Sequence, residues 1–97
     1  YIQKDGMKVI FHTDTRDYET YSSFKKILPQ LPNQFVQCHK SYIVNLQKIT
    51  DISNSIIFLD NSSNSRCYIG PKYKNHFMEV LNNGNFSSNF EHTYNTK

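Results

Sequence analysis

Phe35-Val36-Gln37-Cys38-His39-Lys40-Ser41-Tyr42-Ile43-Val44-Asn45-Leu46-Gln47-Lys48-Ile49 is the stretch on which the reading of this chain turns. Phe35-Val36-Gln37-Cys38 has the ring and β-branched content of a strand. His39-Lys40-Ser41 then interrupts it with three polar residues. Tyr42-Ile43-Val44 is a second apolar run, closed by Asn45, whose side chain can satisfy a turn. Ile49 and Ile52 carry the apolar alternation onward.

Working outward from there, Met7-Lys8-Val9-Ile10-Phe11-His12-Thr13 reads as a strand. Asp14-Thr15-Arg16-Asp17 is a polar turn, and Tyr18-Glu19-Thr20-Tyr21 makes the return strand of a hairpin. Ser22 or Ser23 can cap a short helix. Phe24, Ile27, Leu28 and Leu31 give that helix an apolar face at i, i+3, i+4 and i+7, and Pro29 should end or distort it near Leu28. On the C-terminal side Ile56 to Leu59 is a strand. Asp60-Asn61-Ser62-Ser63-Asn64-Ser65 has the composition of a hairpin loop, and Arg66-Cys67-Tyr68-Ile69 is its return. Pro71 suits the first position of a closing helix, on which Tyr73, Phe77, Val80 and Leu81 follow helical spacing. From Asn82 the chain is rich in Asn and Ser, a composition that predicts a poorly ordered tail. The fold class is therefore mainly β, with one or two short helices. It forms one domain over residues 1–81 and a polar tail over 82–97.

Composition narrows the function. The chain has 97 residues with seven Tyr, seven Phe and no Trp, so one small core built of aliphatic and ring residues is the expectation. No apolar run approaches the roughly 20 residues of a membrane span. Charges are scattered through residues 1–20, so no signal peptide is visible. A soluble, cytoplasmic protein with no membrane partner is expected. The opening on Tyr1, on what looks like the edge of a strand, reads as a segment cut from something longer. Cys38 and Cys67 fit no zinc motif, and His39 directly beside Cys38 is a poor spacing for two ligands of one metal. Adjacent residues on a strand point to opposite faces, which argues against a catalytic thiol there. No paired carboxylates, triad, phosphate loop or metal cluster stands out. The expectation is a non-enzyme with no cofactor and no metal.

The quoted stretch resembles the central signature of LytTR domains, which runs F-x-x-x-H-[R/K/N]-S-[Y/F]-[I/V]-V-N-x-x-x-I. Phe35, His39, Lys40, Ser41, Tyr42, Ile43, Val44, Asn45 and Ile49 fill its fixed positions. The resemblance extends over about residues 1–81. Cys38 beside His39, with a second cysteine before the last basic segment, is most similar to the Agr-type regulators. The resemblance implies small antiparallel sheets stacked in an elongated sandwich. It implies the DNA-binding output domain of a bacterial response regulator, of a kind that often governs quorum sensing and virulence. Such domains bind promoter direct repeats through loops set in major grooves. The implied partners are double-stranded DNA, an upstream receiver domain and a second protomer on DNA.

By the same resemblance three segments are DNA-contacting loops: Lys4-Asp5-Gly6-Met7-Lys8, His39-Lys40 with Lys48, and Lys72-Tyr73-Lys74. They hold six lysines and one aspartate, net +5, while the remaining five basic and seven acidic residues give −2, for the total of +3. A modest global charge would thus hide a concentrated basic face, if the fold gathers these loops. Lys40 matches the position that reads bases, usually Arg or Asn. Lys donates to guanine O6 and N7 without the planar fork of Arg. Lys72 matches a basic contact that is Arg elsewhere, and Tyr73 and Lys74 are its neighbours. Met7 or Lys8 falls where Agr-type members place His or Arg. His39 is either a DNA contact or an internal hydrogen bond that holds its loop. Cys38 and Cys67 are a possible redox pair, or simply two small buried residues. A protein-interaction module with incidental lysines is the alternative function, and single-stranded RNA binding by ring stacking ranks below it.

Overall fold

The computed structural model describes residues 1–59 and 65–83. Among them eight strands form: β1 (Ile2–Asp5), β2 (Lys8–His12), β3 (Asp17–Tyr21), β4 (Phe35–His39), β5 (Tyr42–Asn45), β6 (Ile49–Ser53), β7 (Ile56–Leu59) and β8 (Arg66–Tyr68). Two α-helices join them, α1 (Phe24–Ile27) and α2 (Lys74–Asn83). The strands build a five-stranded sheet in the order β3-β2-β1-β5-β4 and a three-stranded sheet in the order β6-β7-β8. Every pairing is antiparallel. The molecule measures 40 × 26 × 22 Å, an elongated shape.

Side-chain alternation explains the layering. On β5, Ile43 belongs to a cluster with Ile2, Val9 and Phe24, so α1 covers one face of the larger sheet. Its neighbour Val44 points the other way, into a cluster with Val36 and Cys38 of β4, residues of β6 to β8, and Phe77 and Leu81 of α2. The smaller sheet and α2 cover that second face. A strand buried on both faces reads as a continuous apolar run instead of an alternating one, which is why Tyr42-Ile43-Val44 lacks polar interruptions. Fully burying side chains such as Phe77 and Ile57 contributes about 1.5–3 kcal/mol each.

Local chemistry sets the connections. Ser23 caps α1 by accepting the Lys26 N–H at 3.3 Å. Pro29, which has no N–H to continue an α-helix, falls in the 3₁₀ turn Leu28–Gln30 that follows. Asn45 accepts the Gln47 N–H at 3.0 Å and starts a 3₁₀ turn over Leu46–Lys48. Gly6 has φ +63 and Met7 does not have positive φ, the pattern of a two-residue type II′ hairpin turn with Gly at its first central position. Asn54 and Ser55 both have positive φ, 53 and 65, as a type I′ turn between β6 and β7 requires.

Four expectations change. The first basic segment is not a loop: Lys4 and Asp5 end β1, Lys8 opens β2, and only Gly6 and Met7 form the turn. The strand expected over 7–13 is accordingly Lys8–His12. Pro71 is not the first residue of the closing helix; Pro71–Tyr73 is a turn and α2 begins at Lys74. Asn82 and Asn83, expected in the tail, are helical, because α2 runs two residues past its buried Leu81 anchor. The loop expected at 60–65 lies outside the described residues except for Ser65, as does the tail from 84 onward.

Candidate nucleic-acid interface

Topology decides which of the candidate segments meet. β1 runs antiparallel to both β2 and β5, so the Gly6-Met7 turn and the Lys40-Ser41 turn lie at the same end of the sheet. The Lys4 N–H donates to the Ser41 carbonyl at 2.8 Å, tying the two together. The third segment reaches this end through Gly70, whose N–H donates to the Cys38 carbonyl at 2.8 Å. A Cβ on Gly70 would lie 3.3 Å from the Tyr73 ring and 3.4 Å from the His39 ring. Any larger residue at position 70 would press on both rings, so glycine leaves them room beside β4.

The side chains at this end differ in their freedom. Met7 is 80% exposed at the hairpin tip. Lys4, Lys40, Lys72 and Lys74 are exposed. Lys8 is engaged: its Nζ lies 3.4 Å from Glu19 Oε1 and 5.9 Å from the centre of the Tyr21 ring. Tyr73 is half-buried, its N–H donating to the Gly70 carbonyl.

His39 is half-buried, and its Nδ1 accepts the Ser41 N–H at 3.0 Å. An amide N–H only donates, so Nδ1 carries no proton and the neutral ring holds its hydrogen on Nε2. The histidine therefore braces the Lys40-Ser41 turn from within and keeps one ring N–H for another acceptor. The Tyr42 ring packs against it at 5.2 Å.

Lys48 does not join the group. It sits at the opposite end of the larger sheet, its Nζ 3.9 Å from Asp14 Oδ2. At that end His12 bridges three strands, Nδ1 facing Asp17 Oδ1 at 3.0 Å and Nε2 facing Gln3 Oε1 at 2.9 Å. With Lys48 removed, the three segments keep five lysines and one aspartate, net +4, and the rest of the chain carries −1. Two residues not singled out by sequence pattern also stand at the turn end. Tyr21, opposite Lys8 in register, is 76% exposed, and Lys25 of α1 lines a groove together with Lys4 and Lys40. Strand register would have placed Tyr21, but nothing in the local sequence separates Lys25 from any other helix-surface lysine.

Cys38 and Cys67 are fully buried free thiols in one cluster. Burial pushes the Cys38 thiol far above its ordinary value, with nearby Cys67 adding to the shift. Burial likewise pushes Cys67 up to about 12. The Cys38 Sγ donates to the Tyr42 carbonyl at 3.7 Å. Both therefore stay protonated at neutral pH, the less reactive form of a thiol. Among the described residues, no group of three or more His, Cys, Asp or Glu is placed to hold a metal, and no helix is long and apolar enough to cross a membrane.

Comparison with known proteins gives a consistent picture. Residues 1–82 match the family model described as "LytTr DNA-binding domain". Accessory gene regulator protein A of Staphylococcus aureus strain N315 is 35% identical over 63 residues, 63% of this chain and 25% of that protein. Its counterpart in Staphylococcus epidermidis RP62A is 34% identical over 59 residues, 59% of this chain and 24% of that protein. The match thus spans about a quarter of the length of these curated relatives. Among solved structures, the LytTr DNA-binding domain of a putative methyl-accepting/DNA response regulator from Bacillus cereus superposes with a TM-score of 0.71 at 23% identity. That superposition covers 82% of this chain and 77% of the other, and shows the same fold.

Proposed function

The chain belongs to the LytTR family of DNA-binding domains, and from that premise we propose that it reads promoter DNA as the output domain of a bacterial response regulator. The turn end of the larger sheet faces the DNA. Lys40 reads a base edge in the major groove. Lys4, Lys8, Lys72 and Lys74 contact phosphates, Tyr73 and the Nε2–H of His39 add hydrogen bonds, and Met7 makes an apolar contact such as one with a thymine methyl. Two protomers occupy two direct repeats, brought together by an upstream receiver domain. The regulated genes belong to quorum sensing and virulence, as the Agr-type resemblance implies, and the protein works in the cytoplasm.

The observation that carries this proposal is the convergence of the first and third segments on the Lys40-Ser41 turn, through the Lys4–Ser41 and Gly70–Cys38 backbone bonds. The test is binding to sequenced fragments of the source genome across a salt series. Enrichment of paired short repeats, with affinity falling on a slope worth several phosphate contacts, is the expected result. A lack of enrichment that persists after the chain is artificially dimerised, together with salt-insensitive capture of a protein partner, would favour an interaction module instead.

The cysteines carry a second, smaller proposal. Cys38 lies on β4 beside His39 and Cys67 on β8 before the third segment, so a disulfide between them would disturb both loops. Because both thiols are buried and protonated, oxidation is expected to be slow and to follow local opening of the fold. Peroxide treatment should weaken DNA binding in the native chain and not in Cys67→Ser. Equal sensitivity of the two would end the idea.

A further inference from the structure

Lys4, Lys25 and Lys40 come from β1, α1 and the β4–β5 turn, yet line one groove of about 520 Å³ between α1 and the turn end of the larger sheet. Phe24 and Leu28 also line it, providing apolar surface along which lysine stems can lie while their ammonium groups stay in water. Among the described residues, none of the three has a carboxylate within 4 Å, whereas Lys8 and Lys48 are paired with Glu19 and Asp14. The other polar side chains of the groove each hold a backbone group. Ser23 Oγ accepts the Lys26 N–H, and Gln37 Nε2 donates to the His39 carbonyl at 3.1 Å. What gives the groove its charge is three ammonium groups without a carboxylate partner among the described residues. A lysine ammonium is a flexible point donor that suits a phosphate as readily as a base edge.

We propose that this groove is a phosphate site of the DNA interface, with Lys25 as a contact that lies outside the three loop segments. The inference rests on the DNA-reading function proposed above and extends the footprint from the turns onto α1. The occupant is a phosphate of the DNA backbone at the flank of the bound site. Seating it would offset the mutual repulsion of three like charges held around one concavity. The site would contribute affinity without base preference, because Lys25 lies on α1 and not on a turn tip.

Lys25→Gln tests it, with Lys26→Gln as the control. Lys26 is exposed on the same single helical turn but does not line the groove. Lys25→Gln should weaken binding to all sequences alike and reduce the log–log salt slope by about 0.9, the value of one phosphate contact. Its deficit against the native chain should then narrow about 3.5-fold between 50 and 200 mM salt. Lys26→Gln should leave the slope unchanged. Equal slopes for the native chain and Lys25→Gln, or equal losses in the two variants, would overturn the groove while leaving the DNA-reading function intact. A second measurement needs no DNA. Titration with inorganic phosphate, followed by amide NMR, should give saturable shifts centred on Lys4, Lys25 and Lys40 that Lys25→Gln abolishes. If the shifts are absent or persist in Lys25→Gln, the site does not exist.

Discussion

The two ends of the five-stranded sheet carry similar residue types and use them in opposite ways. At the far end, beside the β2–β3 turn, polar groups are matched: Lys48 with Asp14, and His12 with Asp17 and Gln3. At the turn end, Lys4 and Lys40 stand exposed without a carboxylate partner among the described residues. The difference comes from topology. Antiparallel β1 carries the Gly6-Met7 turn to the start of β5 and takes Thr13–Arg16 to the opposite side. A lysine count along the chain treats Lys40 and Lys48 as neighbours, whereas the length of β5 separates them. Apart from Lys8, which Glu19 holds, the lysines of the turn end have no carboxylate partner among the described residues, and exposed cations gathered on one side are what a surface directed at a polyanion should show.

The largest effect that sharpens this contrast is expected at Lys40. Lys40→Ala should relax preference at one base position, at a cost of about 1–3 kcal/mol for the favoured base. Selection from a randomised site library would measure it. Uniform weakening would instead make Lys40 a phosphate contact and leave the base reader unidentified. Lys74→Gln should behave in that uniform way, reducing the salt slope by about one unit.

Next comes Gly6→Ala. Gly6 has φ +63 and nothing within 4 Å of where a Cβ would stand, so the cost is purely conformational. Forcing a non-glycine residue into the left-handed region costs roughly 1–2 kcal/mol. A denaturant titration should show a loss of that size, with weakened DNA binding through a displaced Met7. A change at the Thr13–Arg16 turn should not reach DNA binding at all.

The buried thiols connect chemistry near the turn end to stability. A thiol whose pKa rises on folding keeps its proton in the folded state when the unfolded chain has lost it. The unfolded state then binds fewer protons, so stability falls as pH rises through that window. For Cys67 the window runs from its usual value of 9.0 to about 12. The slope reaches at most about 1.4 kcal/mol per pH unit. Stability of Cys67→Ala measured between pH 8 and 11 should decline less steeply than that of the native chain. Parallel curves would mean that the Cys67 thiol meets water more readily than its burial indicates.

Much of this fold is legible in the sequence because its signals are local. The Ser23 cap, the break at Pro29, the strand content of Phe35 to Cys38 and the helical spacing of Phe77 and Leu81 each need only a few residues to be read. β1 shows only as a strand-like opening of the chain, with no sign of its central place in the sheet. Ile2-Gln3-Lys4-Asp5 has one buried residue, and it becomes a strand because β2 and β5 bracket it. The β6–β7 turn at Asn54-Ser55 is weakly marked, since serine does not announce a positive φ as glycine would. For the candidate site, Lys40 lies within the family signature and Lys4 and Lys72 come from the wider resemblance, whereas the distance of Lys48 from them and the approach of Lys25 to Lys4 and Lys40 depend on which strands pair. Pairing over such distances leaves no local trace.

The smallest expected effect probes the far end itself. Lys48→Gln removes a cation that a sequence count places in the DNA-binding set, so a large loss of DNA affinity would return it there. In the structure Lys48 is a half-exposed partner of Asp14 at 3.9 Å, on the opposite side of the sheet. An exposed pair of this kind contributes about 0–1 kcal/mol to stability. Lys48→Gln should therefore leave the specific salt slope unchanged and shift the unfolding midpoint only slightly, and Asp14→Asn should match it. If Lys48→Gln lowered the slope by a full contact, DNA would have to reach both ends of the sheet. The polarity between compensated and uncompensated charge would then describe the free protein without describing its binding surface.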